Sequence, residues 1–118
     1  MTDTTTQGIQ TVLHPVTDLE AAKAVYSALL GVSPQSDESY YVGYEAAGQQ
    51  IGLVPGGEQQ GMSSPVAYWH VTDIAAKVAE VTAAGATVKD PPHDVGGGRL
   101  VATVTDPDGN VLGLLQDP

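Results

Sequence analysis

"HPVTDLEAAKAVYSALLG", residues 14–31, and "WHVTDIAAKVAEVTAAG", residues 69–85, carry the same plan twice. Val16-Thr17-Asp18 aligns with Val71-Thr72-Asp73, an apolar segment precedes each (9–16 and 66–71), and a helical pattern follows each. In the first helix Leu19, Ala22, Tyr26, Leu29 and Leu30 keep the three-and-four spacing of one buried face. Thr17 with Glu20 reads as a capping box, and Gly31 stops the helix. In the second, Ile74, Val78 and Val81 define the buried face, and Gly85 supplies a left-handed C-terminal residue.

Beyond each helix the pattern changes to strands and turns. The first copy predicts a short edge strand near 32–35, a strand at 40–45, a turn at 46–48 and a strand at 49–54. The second predicts strands at 87–89, 100–105 and 111–116, with a turn at "DPDGN", 106–110, made of residues that initiate and tolerate tight reversals. The order is β-α-β-β-β, twice: an α+β fold in a single domain, module one at about 9–55, a linker at 56–65 and module two at about 66–116. "MTDTTTQG" reads as a frayed leader and "PPHDVGGGR", 91–99, as a flexible insertion that lengthens the second copy. Gly52 and Gly113 hold the same place in the last strand of their repeats. A glycine inside a strand gives up packing, so a matched pair marks a place of close approach, either by a ligand or backbone or by two tightly packed sheets or chains.

Composition narrows the function. A chain of 118 residues with 42% hydrophobic and 15% charged residues suits one globular domain, and no apolar stretch is long enough for a membrane helix. The start has neither the basic nor the apolar segment of a secretory signal, so the cytoplasm is the expected location. With no cysteine, any metal needs His, Asp or Glu. The net charge of −10, with Lys23, Lys77, Lys89 and Arg99 the only cations, excludes nucleic acid as a partner. It serves solubility, or an acidic cleft that attracts a cationic small molecule.

The two modules, with "VTDLEAA…Y…LLG" in the first and "DPDGN" before a final strand in the second, resemble the vicinal oxygen chelate superfamily of glyoxalase I, extradiol dioxygenases and bleomycin resistance proteins. The resemblance spans about 9–116. It implies strands curled into an open cup with helices outside, and in enzymatic members one divalent metal held from the first and last strand of each module. Those four positions fall on Thr11, Gly52, Val66 and Gly113. Glycine and valine have no donor and threonine is a poor one, so the implied metal site reads as deleted and no cofactor is expected. Gln49, Gln50 and Gln116 are the only polar substitutes nearby.

His14, His70 and His93 fall on different faces and elements and make a poor zinc set. Strand alternation puts His70 on the face of Val66 and Tyr68, as a hydrogen-bonding group, a general base or a structural histidine, and His14 on the face opposite Thr11. In "YYVGY", 40–44, either Tyr41 or the pair Tyr40 and Tyr44 faces the cup. Arg99, after three glycines, is either a carboxylate clamp or lid residue, or a solvated charge. The preferred expectation is a metal-independent small-molecule binding protein, sequestering a cationic drug or metabolite through Thr11, Leu13, Tyr41, Gly52, Tyr68, His70, Arg99 and Gly113. The alternatives are a metal-dependent glyoxalase-like lyase or dioxygenase-like enzyme, or an interaction domain. A homodimer is the expected assembly, as the resemblance implies.

Overall fold

The computed structural model describes residues 5–57 and 62–118; residues 1–4 of the leader and 58–61 of the linker lie outside these. The backbone divides into two compact units that follow the two repeats, Gln10–Val66 and Ala67–Pro118, the latter with the residues up to Ile9. In chain order the elements are β1 (Ile9–Val16), α1 (Leu19–Leu30), β2 (Ser36–Glu38), β3 (Tyr41–Ala46), β4 (Gln49–Pro55), β5 (Val66–His70), α2 (Ile74–Ala83), β6 (Thr87–Asp94), β7 (Leu100–Thr105) and β8 (Val111–Gln116). The β-α-β-β-β order therefore occurs twice.

In the first module the strands lie in the order β2-β3-β4-β1, antiparallel except for the parallel pair of β4 and β1. Alternation sorts their side chains onto two faces. Val42, Tyr44 and Leu53 are buried with Leu19, Ala22, Tyr26 and Leu30 of α1 packed against them. The Tyr44 hydroxyl lies 2.8 Å from Ser27 Oγ and donates to the Lys23 carbonyl at 3.0 Å, which satisfies its polar end in that core. Ala47 and Gly48, at φ 54° and 76°, join β3 to β4 with the backbone hand that suits twisted hairpin strands.

The second module repeats the scheme as β5-β8-β7-β6, with β5 and β8 parallel and the remaining pairs antiparallel. Val71, Ile74, Ala102 and Leu114 form its core, with Trp69, Val78 and Leu100 against it. Asp106 organises the β7–β8 turn: Oδ1 accepts from the Asp108 and Asn110 N–H groups, each at 2.9 Å, and Oδ2 accepts from the Asn110 amide. These bonds to Asn110 first, then to Asp108 and Gly109, hold its carboxyl below the usual range.

Several boundaries differ from the sequence reading for identifiable reasons. The helix caps are Asp18 and Asp73, whose carboxylates accept from Ala21 and Ala76 N–H at 3.0 Å, rather than Thr17. A carboxylate also complements the positive end of the helix. Leu29 is 73% exposed, because the stripe through 19, 22, 26 and 30 leaves it at the edge. The first edge strand is Ser36–Glu38, not 32–35; it pairs with β3, and Asp37 is held by Lys23 Nζ at 3.0 Å. β6 continues through Asp94, so Pro91 to Asp94 of the expected insertion are strand. As an outer, fully exposed strand it tolerates prolines that donate no hydrogen bond. The loop shrinks to Val95–Arg99, with Gly96, Gly97 and Gly98 all at positive φ. The leader is anchored rather than frayed at its inner end: the Thr6 hydroxyl and Gln7 N–H donate to the His70 carbonyl, and the His70 N–H donates to the Gly8 carbonyl, each at 2.9 Å.

Replacing Asp18 by Ala should lower stability by about 1 kcal/mol in urea unfolding, and Thr17→Ala by less than half as much. Equal losses would return the cap to Thr17.

Candidate functional site

In the first module the face away from α1 carries Thr11 and Leu13 of β1, Tyr41 and Gly43 of β3, and Gln50 and Gly52 of β4, as the registers Leu13↔Gly52, Gly43↔Gly52 and Thr11↔Gln50 require. Tyr41 thus takes this face, while Tyr44 is buried toward α1 and Tyr40 is exposed. A Cβ placed on Gly52 would run into the Tyr41 hydroxyl and, at 2.6 Å, Leu13 Cδ2. Gly52 is glycine because the Tyr41 ring and Leu13 occupy the space above it. Thr11, 2% exposed, directs Oγ1 to Gln50 Oε1 at 3.3 Å.

The corresponding face of the second module carries Tyr68 and His70 of β5, Gly113 and Leu115 of β8, and Val101 and Thr103 of β7. Here a Cβ on Gly113 would meet the Tyr68 ring at 2.6 Å and the Ala67 carbonyl at 2.8 Å. Asp90, at a register shift of β6, pairs with Thr103 and accepts from its hydroxyl at 3.4 Å. Burial, and then the charge of Asp90, push the Tyr68 phenol upward, so it remains a neutral donor.

His70 is 5% exposed. Asp117 Oδ2 lies 3.7 Å from its Nδ1, and Asp117 Oδ1 accepts from Arg99 Nε at 2.7 Å. Burial lowers the His70 pKa, Asp117 opposes that effect and Arg99 adds to it. His14 lies on the other face of its module, its ring 5.2 Å from that of Tyr26. Its Nδ1 is buried without a hydrogen-bond partner among the described residues, and burial lowers its pKa against the opposing backbone of Gly52 and Val12. His93 sits on β6 with Nδ1 2.9 Å from the Pro91 carbonyl. Sequence reasoning missed Asp90, Thr103 and Asp117. Asp117 was within reach of it, since a hairpin centred on Asp108 places residue 117 across from Arg99.

The residues at the four positions where the resemblance implies metal ligands do not fit a divalent cation. Thr11 is engaged with Gln50, Val66 is aliphatic, and both glycine positions are overlain by tyrosine. Of the polar substitutes, Gln50 shares the Thr11 face, whereas Gln116 Oε1 accepts from the Ile74 N–H at 2.8 Å and serves the start of α2. No group of three His, Asp or Glu side chains suited to a metal occurs among the described residues.

A family model described as Glyoxalase/Bleomycin resistance protein/Dioxygenase superfamily matches residues 8–114. Among solved structures, the Mn(II)-bound glyoxalase from Novosphingobium aromaticivorans aligns with a TM-score of 0.73 at 21% identity, over 98% of this chain and 40% of its own. Methylmalonyl-CoA epimerase from Mycobacterium tuberculosis gives 0.73 at 15% identity, over 100% and 93%. A glyoxalase/bleomycin resistance protein/dioxygenase superfamily member from Vibrio splendidus 12B01 gives 0.66 at 19%, over 96% and 100%. Comparison with curated proteins gives no match. At these identities the structural likeness is one of fold.

Gly113→Ala should cost about 2 kcal/mol, because the backbone carbonyl of Ala67 cannot move aside as a side chain can. Gly52→Ala should cost less, since Tyr41 and Leu13 can rotate; equal costs by urea unfolding would refute the distinction. Because half-buried His14 and buried His70 both have lowered pKa values, the unfolded chain binds protons that the folded chain refuses. Stability should be fully present above the unfolded value of about 6.5 and fall as pH drops from there through the folded values. Unfolding at pH 7.5 and 5.5 checks this, and the loss should shrink in His14→Leu.

Proposed function

The chain belongs to the glyoxalase/bleomycin resistance protein/dioxygenase superfamily, and from that premise we propose that it acts as a metal-independent small-molecule binding protein. The observation that carries this reading is the covering of both glycines by tyrosine, Gly52 by Tyr41 and Gly113 by Tyr68. Where the resemblance implies a metal-binding carboxylate, this chain has an aromatic surface.

Such a surface holds a ligand by burial and ring contact, and its polar groups set orientation. On the face of the first module Thr11 and Tyr41 supply hydrogen-bonding groups beside Leu13, and on that of the second module Tyr68 and His70 supply them beside Val101 and Leu115. The net charge of −10 favours cationic or neutral ligands at long range, an influence that fades beyond about 8 Å at physiological salt. Binding of this kind sequesters a drug or metabolite without turnover.

Native mass spectrometry of the purified protein with added Zn²⁺, Ni²⁺, Mn²⁺ and Fe²⁺ tests the reading. The expected spectrum shows no metal retained in stoichiometric amount. One ion retained per chain would overturn it.

A further inference from the structure

The two helices hold equivalent places in their modules, with Leu19 of α1 aligned to Ile74 of α2, yet their outer surfaces differ. Outside the stripe that α1 packs on its sheet lie Ala21, Ala24, Val25, Ala28 and Leu29, all exposed, with Val25 at 63%. Val32, two residues past the helix end, is exposed as well. The same alignment sets Glu80, Ala84 and Thr87 of the second module where the first has Val25, Leu29 and Val32. Glu80 pairs with Lys77 at 3.4 Å, as polar residues on the outer face of a surface helix do. The second module thus shows that the fold needs no large apolar side chain at these positions.

We propose that the outer stripe of α1 is a self-association surface, on which a second copy of the chain lays its own α1 antiparallel. Charge selects this occupant. With 14 acidic residues against four basic ones, two copies repel over most of their surface. Residues 24–36 carry no charge, so here two copies meet without opposing carboxylates. Antiparallel pairing sets the charged start of each helix, with Asp18, Glu20 and Lys23, against the uncharged C-terminal half of the other, and it opposes the two helix dipoles. Lys23 is held by Glu20 and Asp37, which leaves the stripe no cation with which to hold an anionic lipid surface or an acidic protein. Tyr40, Val88 and Val95 are exposed too, but each stands within two residues of a carboxylate, at Glu38, Asp90 and Asp94. A single helix pair buries no more than the roughly 1,200 Å² at which stable interfaces begin, so the dimer is weak, with a Kd on the order of 100 μM. The contact lies on the helix side of the first module's sheet, away from Tyr41.

The test is sedimentation equilibrium of the full chain from about 5 to 500 μM, in about 20 and 500 mM NaCl. A monomer–dimer equilibrium is expected, and added salt should tighten it, because screening weakens the repulsion between two acidic copies and leaves apolar contact intact. Leu29→Glu should weaken dimerisation about a hundredfold by setting like charges in the contact. Val25→Gln with Leu29→Gln, which removes apolar area without adding charge, should weaken it about tenfold. Val88→Glu adds the same charge elsewhere and should change it by less than about twofold. A chain monomeric throughout this range, a dimer that survives Leu29→Glu, or one that dissociates as salt rises would overturn the proposal. So would flotation of the monomeric chain with phosphatidylcholine vesicles, which would show the stripe to be a lipid-binding surface. Backbone amide dispersion shows whether Leu29→Glu is folded, and the double glutamine variant decides the same question if it is not.

Discussion

Steric exclusion above two glycines is the constraint on which the candidate site depends. In each module a four-stranded sheet offers one face to its helix, and the tyrosine of the other face lies over the glycine of the last strand. The two solutions are not copies of one another. Tyr41 reaches Gly52 from β3, whereas Tyr68 reaches Gly113 from β5. The same outcome reached from non-equivalent strands suggests that removing side chains from the last strands came with filling the space they left, which keeps the interior close-packed.

That filling also sets the electrostatics. Tyr68 is buried beside Asp90 and stays protonated, and His70 is buried and stays neutral. The second module's face is therefore apolar and neutral along most of its length, with charge confined to Asp90 at β6 and to Arg99 and Asp117 at the opposite end of β7. Such a face orients a ligand by its ends and holds it by its middle.

Much of this was legible in the sequence because repeats and turns leave strong local signals. The echo of Val16-Thr17-Asp18 in Val71-Thr72-Asp73 gave both β-α starts, and "DPDGN" fixed the β7–β8 hairpin and its register. Tertiary context decided the rest. Ser36-Asp37-Glu38 has no strand character of its own and forms β2 through β3 and Lys23. Pro91 and Pro92 read as loop, yet an outer strand accepts them. Gly52 and Gly113 were recognisable as a matched pair, but a sequence carries no sign of which ring lies over which glycine.

The most direct test of the central claim is titration of the protein with Mn²⁺ while backbone amide signals are followed by NMR. The account predicts no selective broadening of Gly52 and Gly113 at stoichiometric metal. Broadening centred on either glycine at one Mn²⁺ per chain would show that a cation does bind there and would contradict it.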